Sequence, residues 1–300
     1  MRKLILLMLI SLVLAGCGYT EPEETMDSTS TEESIDSASV TEATEAPTEV
    51  PLLRELIDPK SSDFVRVADY VPGVIVDLKY TGTDNFIGQD IYDFDDAFLR
   101  YGTVVKLKAV SEELAQQGLY LKIWDGFRPV SAQFKLWEIC PDDTYVADPN
   151  KGYSNHSRGF AVDLTLVDSE GNELLMPTGF DDFSAKADRD YSDCTAEEAG
   201  NAKLLQTVME KHGFTGYYGE WWHFNDNQKY EVETCFDPAI ICHRQLTEEA
   251  VLLERHWVDG SDILTVPAGE TVTLLGFDEE YAMIEYWGYR GYISSAQLLK

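Results

Sequence analysis

Two polar motifs about sixty residues apart constrain this chain more than any other feature. The first runs Ser154-Asn155-His156-Ser157-Arg158-Gly159-Phe160-Ala161-Val162-Asp163, and the second is Glu220-Trp221-Trp222-His223. The sequence holds only 5 histidines, so each is judged by its neighbours. A catalytic zinc takes three protein ligands from histidine and carboxylate and keeps one position open for water. His156, Asp163 and His223 could supply that set, which leaves Glu220 free to act as a base. Gly159 lets the backbone turn between a loop ligand and a strand ligand. On a regular strand, positions 220 and 223 face opposite sides, so a bulge or turn is required there if both are to reach one centre.

Periodic structure begins near Leu52. Val74 to Tyr80 reads as a strand, and Asp96 to Gln117 carries apolar residues at helical spacing and stops at Gly118. Leu119 to Trp124 is a compact apolar strand leading into the turn Asp125-Gly126-Phe127-Arg128-Pro129, with a helix after the proline. Phe160 to Leu166 alternates as a strand. Thr195 to His212 reads as a helix, opened by Thr195 with Glu198 three residues on and closed by Gly213, and Tyr217 to Phe224 is aromatic and strand-like. Helices and strands mix without a βαβ rhythm, which predicts an α+β fold rather than a doubly wound sheet. After about Glu248, the segments Val266 to Glu270, Val272 to Leu275, Ala282 to Trp287 and Gly291 to Ile293 read as short strands between glycine and acidic turns.

The start of the chain has a different character. Arg2 and Lys3 precede an apolar run from Leu4 to Leu14 that ends in Leu14-Ala15-Gly16-Cys17, the pattern of an export signal. The run is shorter than the ~20 residues of a membrane-spanning helix. Its small residues before a cysteine resemble the lipobox of bacterial lipoproteins, which implies a signal over residues 1–17 and an extracytoplasmic protein held to the membrane by lipidated Cys17. Residues 18–51 are rich in Ser, Thr, Glu, Ala and Pro and carry no lysine or arginine. Such a segment cannot form a core and suits an extended tether. A formal charge of -31 and a pI near 4.3 argue against nucleic acid or anionic lipid bound through a basic surface. Beyond Cys17 the cysteines are Cys140, Cys194, Cys235 and Cys242, for which three disulfide pairings or free thiols remain open.

The order Ser-x-His-x-x-Gly-x-Ala-x-Asp, then Glu-x-x-His, resembles the zinc peptidases that include VanX-type D-alanyl-D-alanine dipeptidases, D,D-carboxypeptidases and, structurally, the hedgehog signalling domain. Asp84-Asn85-Phe86, Trp124 to Pro129, Met176 to Asp181 and Glu220 to His223 look like the dipeptidase branch. A carboxypeptidase usually has proline within its Glu-x-x-His motif, where Trp222 stands here. The resemblance implies a hedgehog/D,D-peptidase-like α+β zinc domain over residues 52–247, with an antiparallel sheet and flanking helices. Residues 248–300, with Gly291-Tyr292-Ile293 near the end, resemble the SH3-like modules of bacterial cell-wall enzymes and imply a small all-β barrel that binds the wall.

By this resemblance Zn2+ sits on His156, Asp163 and His223, lowers the pKa of its water toward ~7 and polarises the scissile carbonyl. Glu220 takes the water's proton and returns it to the leaving amine, and Arg128 matches the arginine that stabilises the oxyanion. A free dipeptide carries an ammonium and a carboxylate, and a site that buries it must pair both. Asp125 and Asp182 are candidates for the ammonium, Asp181 can take the place of Asp182, and Ser154 is expected to touch substrate. The implied substrate is D-Ala-D-Ala or a related peptidoglycan peptide. Export from the cytoplasm keeps a D,D-carboxypeptidase that trims wall stem peptides as the alternative. A non-catalytic, zinc-containing wall-binding protein is a further reading, against which Glu220 and Arg128 weigh. His212 ends a helix, and His243 and His256 have no ligand pattern.

Overall fold

The structure is a computed structural model, and it describes residues 58–255 and 260–298. The export signal, Cys17, the tether and His256 lie outside the described residues. Strand β1 (Phe64–Arg66) pairs antiparallel with β3 (Phe98–Arg100), while β2 (Ile75–Val76) joins a separate central sheet. Helix α1 (Tyr101–Ala115), β4 (Tyr120–Asp125) and α2 (Val130–Ile139) follow. Next come β5 (Ala161–Val167), α3 (Ala196–Lys211), β6 (Phe214–Gly216) and β7 (His223–Asp226). The central sheet has the order β2-β4-β5-β7-β6 and is antiparallel except for the β2–β4 pair. This is the mixed α+β arrangement that the absence of a βαβ rhythm predicts.

Packing buries the sheet at its middle. All seven residues of β5 are buried, with α3 packed on β5 and α1 on the neighbouring β4. Helix α1 turns Val104, Leu107, Val110 and Leu114 inward at helical spacing, and each such side chain contributes about 1.5–3 kcal/mol on burial. A capping box opens α3: Glu198 N–H donates to Thr195 Oγ1, and Thr195 N–H donates to Glu198 Oε2. Gly213, at φ 90°, closes it.

Three sequence expectations change. Only Ile75–Val76 of Val74–Tyr80 is a strand, because Lys79–Thr81 winds into a 3-10 turn held by the Asn85 side chain on the Lys79 and Gly82 carbonyls. The helix predicted from Asp96 begins only at Tyr101, since Phe98–Arg100 is drawn into pairing with β1. Of Val266–Glu270 only Val266 is in a strand, and Pro267–Glu270 is a turn, with Gly269 at φ 82° and Glu270 N–H donating to the Pro267 carbonyl.

Beyond these elements lies a third sheet, six-stranded and wholly antiparallel. It comprises β8 (Cys242–Gln245), β9 (Ala250–Leu253), β10 (Asp262–Val266), β11 (Thr271–Phe277), β12 (Tyr281–Tyr286) and β13 (Tyr289–Ser294), in the order β10-β9-β13-β12-β11-β8. The sheet therefore includes residues before Glu248, since β8 pairs with β11. Cys140, Cys194, Cys235 and Cys242 are all free thiols.

Candidate metal centre

Strand register, not local sequence, gathers the polar residues of the site. On adjacent strands β4, β5 and β7, Asp125 pairs with Asp163, and Asp163 pairs with His223. Directly paired residues share a face, so two carboxylates and an imidazole stand in one row. The register of β4 shifts between Ile123 and Asp125. Without that extra residue Trp124 would oppose Asp163, so the bulge is what delivers Asp125 to the row.

His156 enters from outside the sheet, at the start of the 3-10 turn His156–Arg158. Gly159 then adopts φ 75°, and a Cβ there would collide with the Phe64 ring. Only glycine lets the chain double back into β5 at that point. His156 Nδ1–H donates to the Gly126 carbonyl at 2.8 Å, which leaves Nε2 as the lone-pair atom facing the site. Burial, helped by the neighbouring Arg128 and His223, pushes His156 down to about 3 against the pull of Asp163, so the ring is neutral.

His156 Nε2 lies 3.2 Å from His223 Nδ1 and 3.4 Å from Asp163 Oδ2, and His223 Nδ1 lies 2.9 Å from Asp163 Oδ1. These donor atoms all fall within 4.8 Å of one another. Ligand atoms bound at ~2.0–2.1 Å to one tetrahedral ion are about 3.3 Å apart. The donor set, with His156 and Asp163 buried and His223 partly so, fits a zinc-sized ion both in its chemistry and in its spacing.

Of the strand that Tyr217–Phe224 suggests, only His223 and Phe224 belong to β7, and Tyr217–Trp222, which carries Glu220, is a turn between β6 and β7. Glu220 N–H donates to the Tyr217 carbonyl, His223 N–H to the Glu220 carbonyl, and Tyr217 N–H to the His223 carbonyl. This turn meets the requirement that both side chains face one centre, and Glu220 Oε2 comes within 3.9 Å of His223 Nδ1. Burial, reinforced by the Asp163 carboxylate and only partly offset by His223, pushes Glu220 up to about 7.

Arg128 completes the centre from the turn after β4. Its Nη2 donates to Asp125 Oδ2 at 2.6 Å and its Nη1 to Gln133 Oε1 at 3.0 Å. Tyr92 Oη–H donates to Asp125 Oδ1 at 2.7 Å, and the guanidinium lies 5.2 Å from the Tyr80 ring centroid. A cleft of about 340 Å³ opens over these groups, with Arg128, His156, Asp163, Asp181, Glu220 and His223 in its lining. Two larger cavities, of about 420 and 440 Å³, lie beside the C-terminal sheet away from this chemistry. Charged side chains there pair with each other, as in Lys60–Glu254 and Arg290–Glu285.

The sequence pattern of the M15 peptidase family described as D-ala-D-ala dipeptidase matches residues 60–245. The chain belongs to this dipeptidase family. A D-alanyl-D-alanine dipeptidase of Escherichia coli is 40% identical over 165 residues, which cover 55% of this chain and 84% of the relative. Another of the same name from Enterococcus faecium is 34% identical over 181 residues, 54% of this chain and 90% of its own. That of Streptomyces coelicolor is 33% identical over 205 residues, 60% and 99% respectively. Among solved structures, the LdcB LD-carboxypeptidase overlaps 56% of this chain and 69% of its own at 19% identity and a TM-score of 0.32, too loose a likeness to bear on chemistry.

Within this dipeptidase-family cleft the sequence-predicted residues divide. His156, Asp163, His223, Glu220, Arg128 and Ser154 all line it, and Ser154 Oγ also accepts from the His156 N–H at 3.2 Å. Asp125 does not. It is 0% exposed behind Arg128, so it holds the arginine instead of meeting an ammonium. Asp182 points to solvent and accepts from Ser184 N–H. Its neighbour Asp181, at φ 54°, turns inward, accepts from Tyr80 Oη–H at 2.7 Å and lines the cleft. Burial raises its carboxyl well above the usual range despite that donor. Tyr80, Tyr92 and Gln133 carry no motif of their own and go unseen in the sequence. His212 bonds Glu113 at 2.7 Å and His243 is exposed on β8, both remote from the centre.

Proposed function

We propose that this protein is a zinc-dependent D-alanyl-D-alanine dipeptidase of peptidoglycan metabolism, with His156, Asp163 and His223 as metal ligands. The observation that carries the reading is the tetrahedral-edge spacing of those three donors, two buried and His223 partly so, in a cleft that also holds Glu220 and Arg128. Relatives that are 40% and 34% identical to it bear the dipeptidase name. Bound zinc supplies an acidified water and a polarised carbonyl. Glu220, which burial brings to about 7, takes the water's proton and delivers it to the leaving amine. Arg128, fixed by Asp125 and Gln133, presents its charge to the developing oxyanion from a dry position. Asp181 is the cleft carboxylate best placed to pair with a substrate ammonium.

The proposed setting is extracytoplasmic, with lipidated Cys17 as anchor, residues 18–51 as tether and residues 248–300 as an SH3-like wall-binding module. The export pattern at residues 1–17 and the β-rich C-terminus support it. The test is release of free D-alanine from D-Ala-D-Ala and from a pentapeptide stem by the zinc-loaded protein. Faster turnover of the dipeptide is expected, and faster turnover of the stem reassigns the protein as a D,D-carboxypeptidase.

A further inference from the structure

Arg189 lies in the loop after the 3-10 turn Ala185–Ala187 and is not part of the cleft lining. It nonetheless grips both ends of the turn that carries Glu220 and His223. Its Nε donates to the Tyr217 carbonyl at 2.8 Å, and its Nη2 donates to the Trp221 and His223 carbonyls at 3.0 and 2.9 Å. The backbone adds to the grip, because Arg189 N–H donates to the Tyr218 carbonyl and Trp221 N–H to the Ala187 carbonyl, each at 3.0 Å.

Within the turn the Tyr217 carbonyl accepts from Glu220 N–H and the His223 carbonyl from Tyr217 N–H, but a turn has no regular ladder to tie its two ends together or to serve the Trp221 carbonyl. A guanidinium can do both, since Nε and Nη2 donate side by side from one rigid plane. That plane lies over the Phe224 ring, with Cζ 4.4 Å from its centroid. Gly216 makes the room, because a Cβ at 216 would run into the guanidinium carbon and nitrogens of Arg189. The arginine and the glycine are thus two halves of one arrangement, on segments that no motif connects.

We propose that Arg189 is a positioning residue, a planar clamp that sets the placement of Glu220 relative to His223. It touches neither substrate nor metal and acts only through the turn. The inference rests on the assignment of Glu220 as acid/base and His223 as ligand given above.

The test compares full-length zinc-loaded protein with the Arg189→Lys, Arg189→Met and Gly216→Ala variants. In all three, kcat on D-Ala-D-Ala should fall about ten- to hundredfold with KM within about threefold of the parent. Lysine keeps the charge but lacks the fork, so it should not rescue. Gly216→Ala keeps the arginine and displaces it. Cobalt-substituted protein gives a second readout: the visible absorption of the metal should shift in each variant as His223 reorients. Parental kcat and an unshifted cobalt spectrum in Arg189→Lys, or in Gly216→Ala, overturns the clamp. If Arg189→Met does not fold, the other two variants decide. If the parent protein itself leaves D-Ala-D-Ala intact, the functional reading fails separately, and the cobalt spectra alone judge the clamp.

Discussion

Asp125 stands fully buried behind Arg128, its Oδ2 2.6 Å from the arginine Nη2 and its Oδ1 2.7 Å from the Tyr92 hydroxyl. The pair fixes the direction in which a dry cation points into the cleft. Asp125→Asn keeps the shape but leaves the guanidinium with only neutral partners, and breaking a buried pair in this way costs about 3–5 kcal/mol. We expect a lower thermal midpoint together with a kcat/KM reduced about a hundredfold, as misplacement of a catalytic group produces. Parental kcat/KM in Asp125→Asn would detach this carboxylate from the function of Arg128.

Glu220 offers a cleaner separation of chemistry from binding. Its carboxyl is not among the three donors that approach within 4.8 Å of one another. Glu220→Gln should therefore retain zinc at the parental stoichiometry while kcat falls about 10²–10⁴-fold, the usual contribution of a general base. Elemental analysis and turnover on the same sample check both halves. His156→Ala and Asp163→Asn should instead lose the metal.

The contrast between those residues and Asp125 shows what a sequence can reveal. His156, Asp163, Glu220 and His223 sit in motifs with fixed spacing, and α3 announces itself through Thr195, Glu198 and Gly213. Asp125, by contrast, owes its place to a one-residue register shift in β4, and Asp181 to a left-handed backbone that exchanges it with Asp182. Neither event leaves a periodic trace. Arg189 and Gly216 are farther apart still in logic, since each looks ordinary until β6 and the preceding loop are brought together.

Asp77 gives the fold a predictable acid limit. It accepts from Lys122 at 2.8 Å and from Lys79 at 3.1 Å. Partial burial raises its pKa, but the two ammonium groups outweigh that and hold the carboxyl below its usual value. A carboxyl depressed in the folded state stabilises above its unfolded pKa of about 3.9 and loses that contribution as pH falls through the lower folded value. The thermal midpoint of the parent should exceed that of Asp77→Asn at pH 7, and the gap should close as the pH falls through and below the ordinary aspartate value of about 3.9. A gap that stays constant over this range removes the role of Asp77.

The C-terminal sheet is expected to support the site as well as any partner it binds. Phe236 stacks on Phe64 at 4.3 Å with an interplanar angle of 3°, and both touch Phe127, the residue before Arg128. This cluster is closed from the other side by Leu275, Met283 and Tyr292 of β11, β12 and β13. Deleting residues 248–300 therefore uncovers three aromatic rings next to the turn that carries Arg128. The deleted protein should aggregate or lose hydrolysis, so it cannot test wall binding by itself. Phe236→Ala should cost about 3–5 kcal/mol and lower kcat/KM with it. Phe277→Ser, at a β11 position that is 54% exposed, should change neither. Denaturant unfolding and turnover measured together separate these cases, and a Phe236→Ala protein with parental stability would show that the aromatic contact does not couple the sheet to the site.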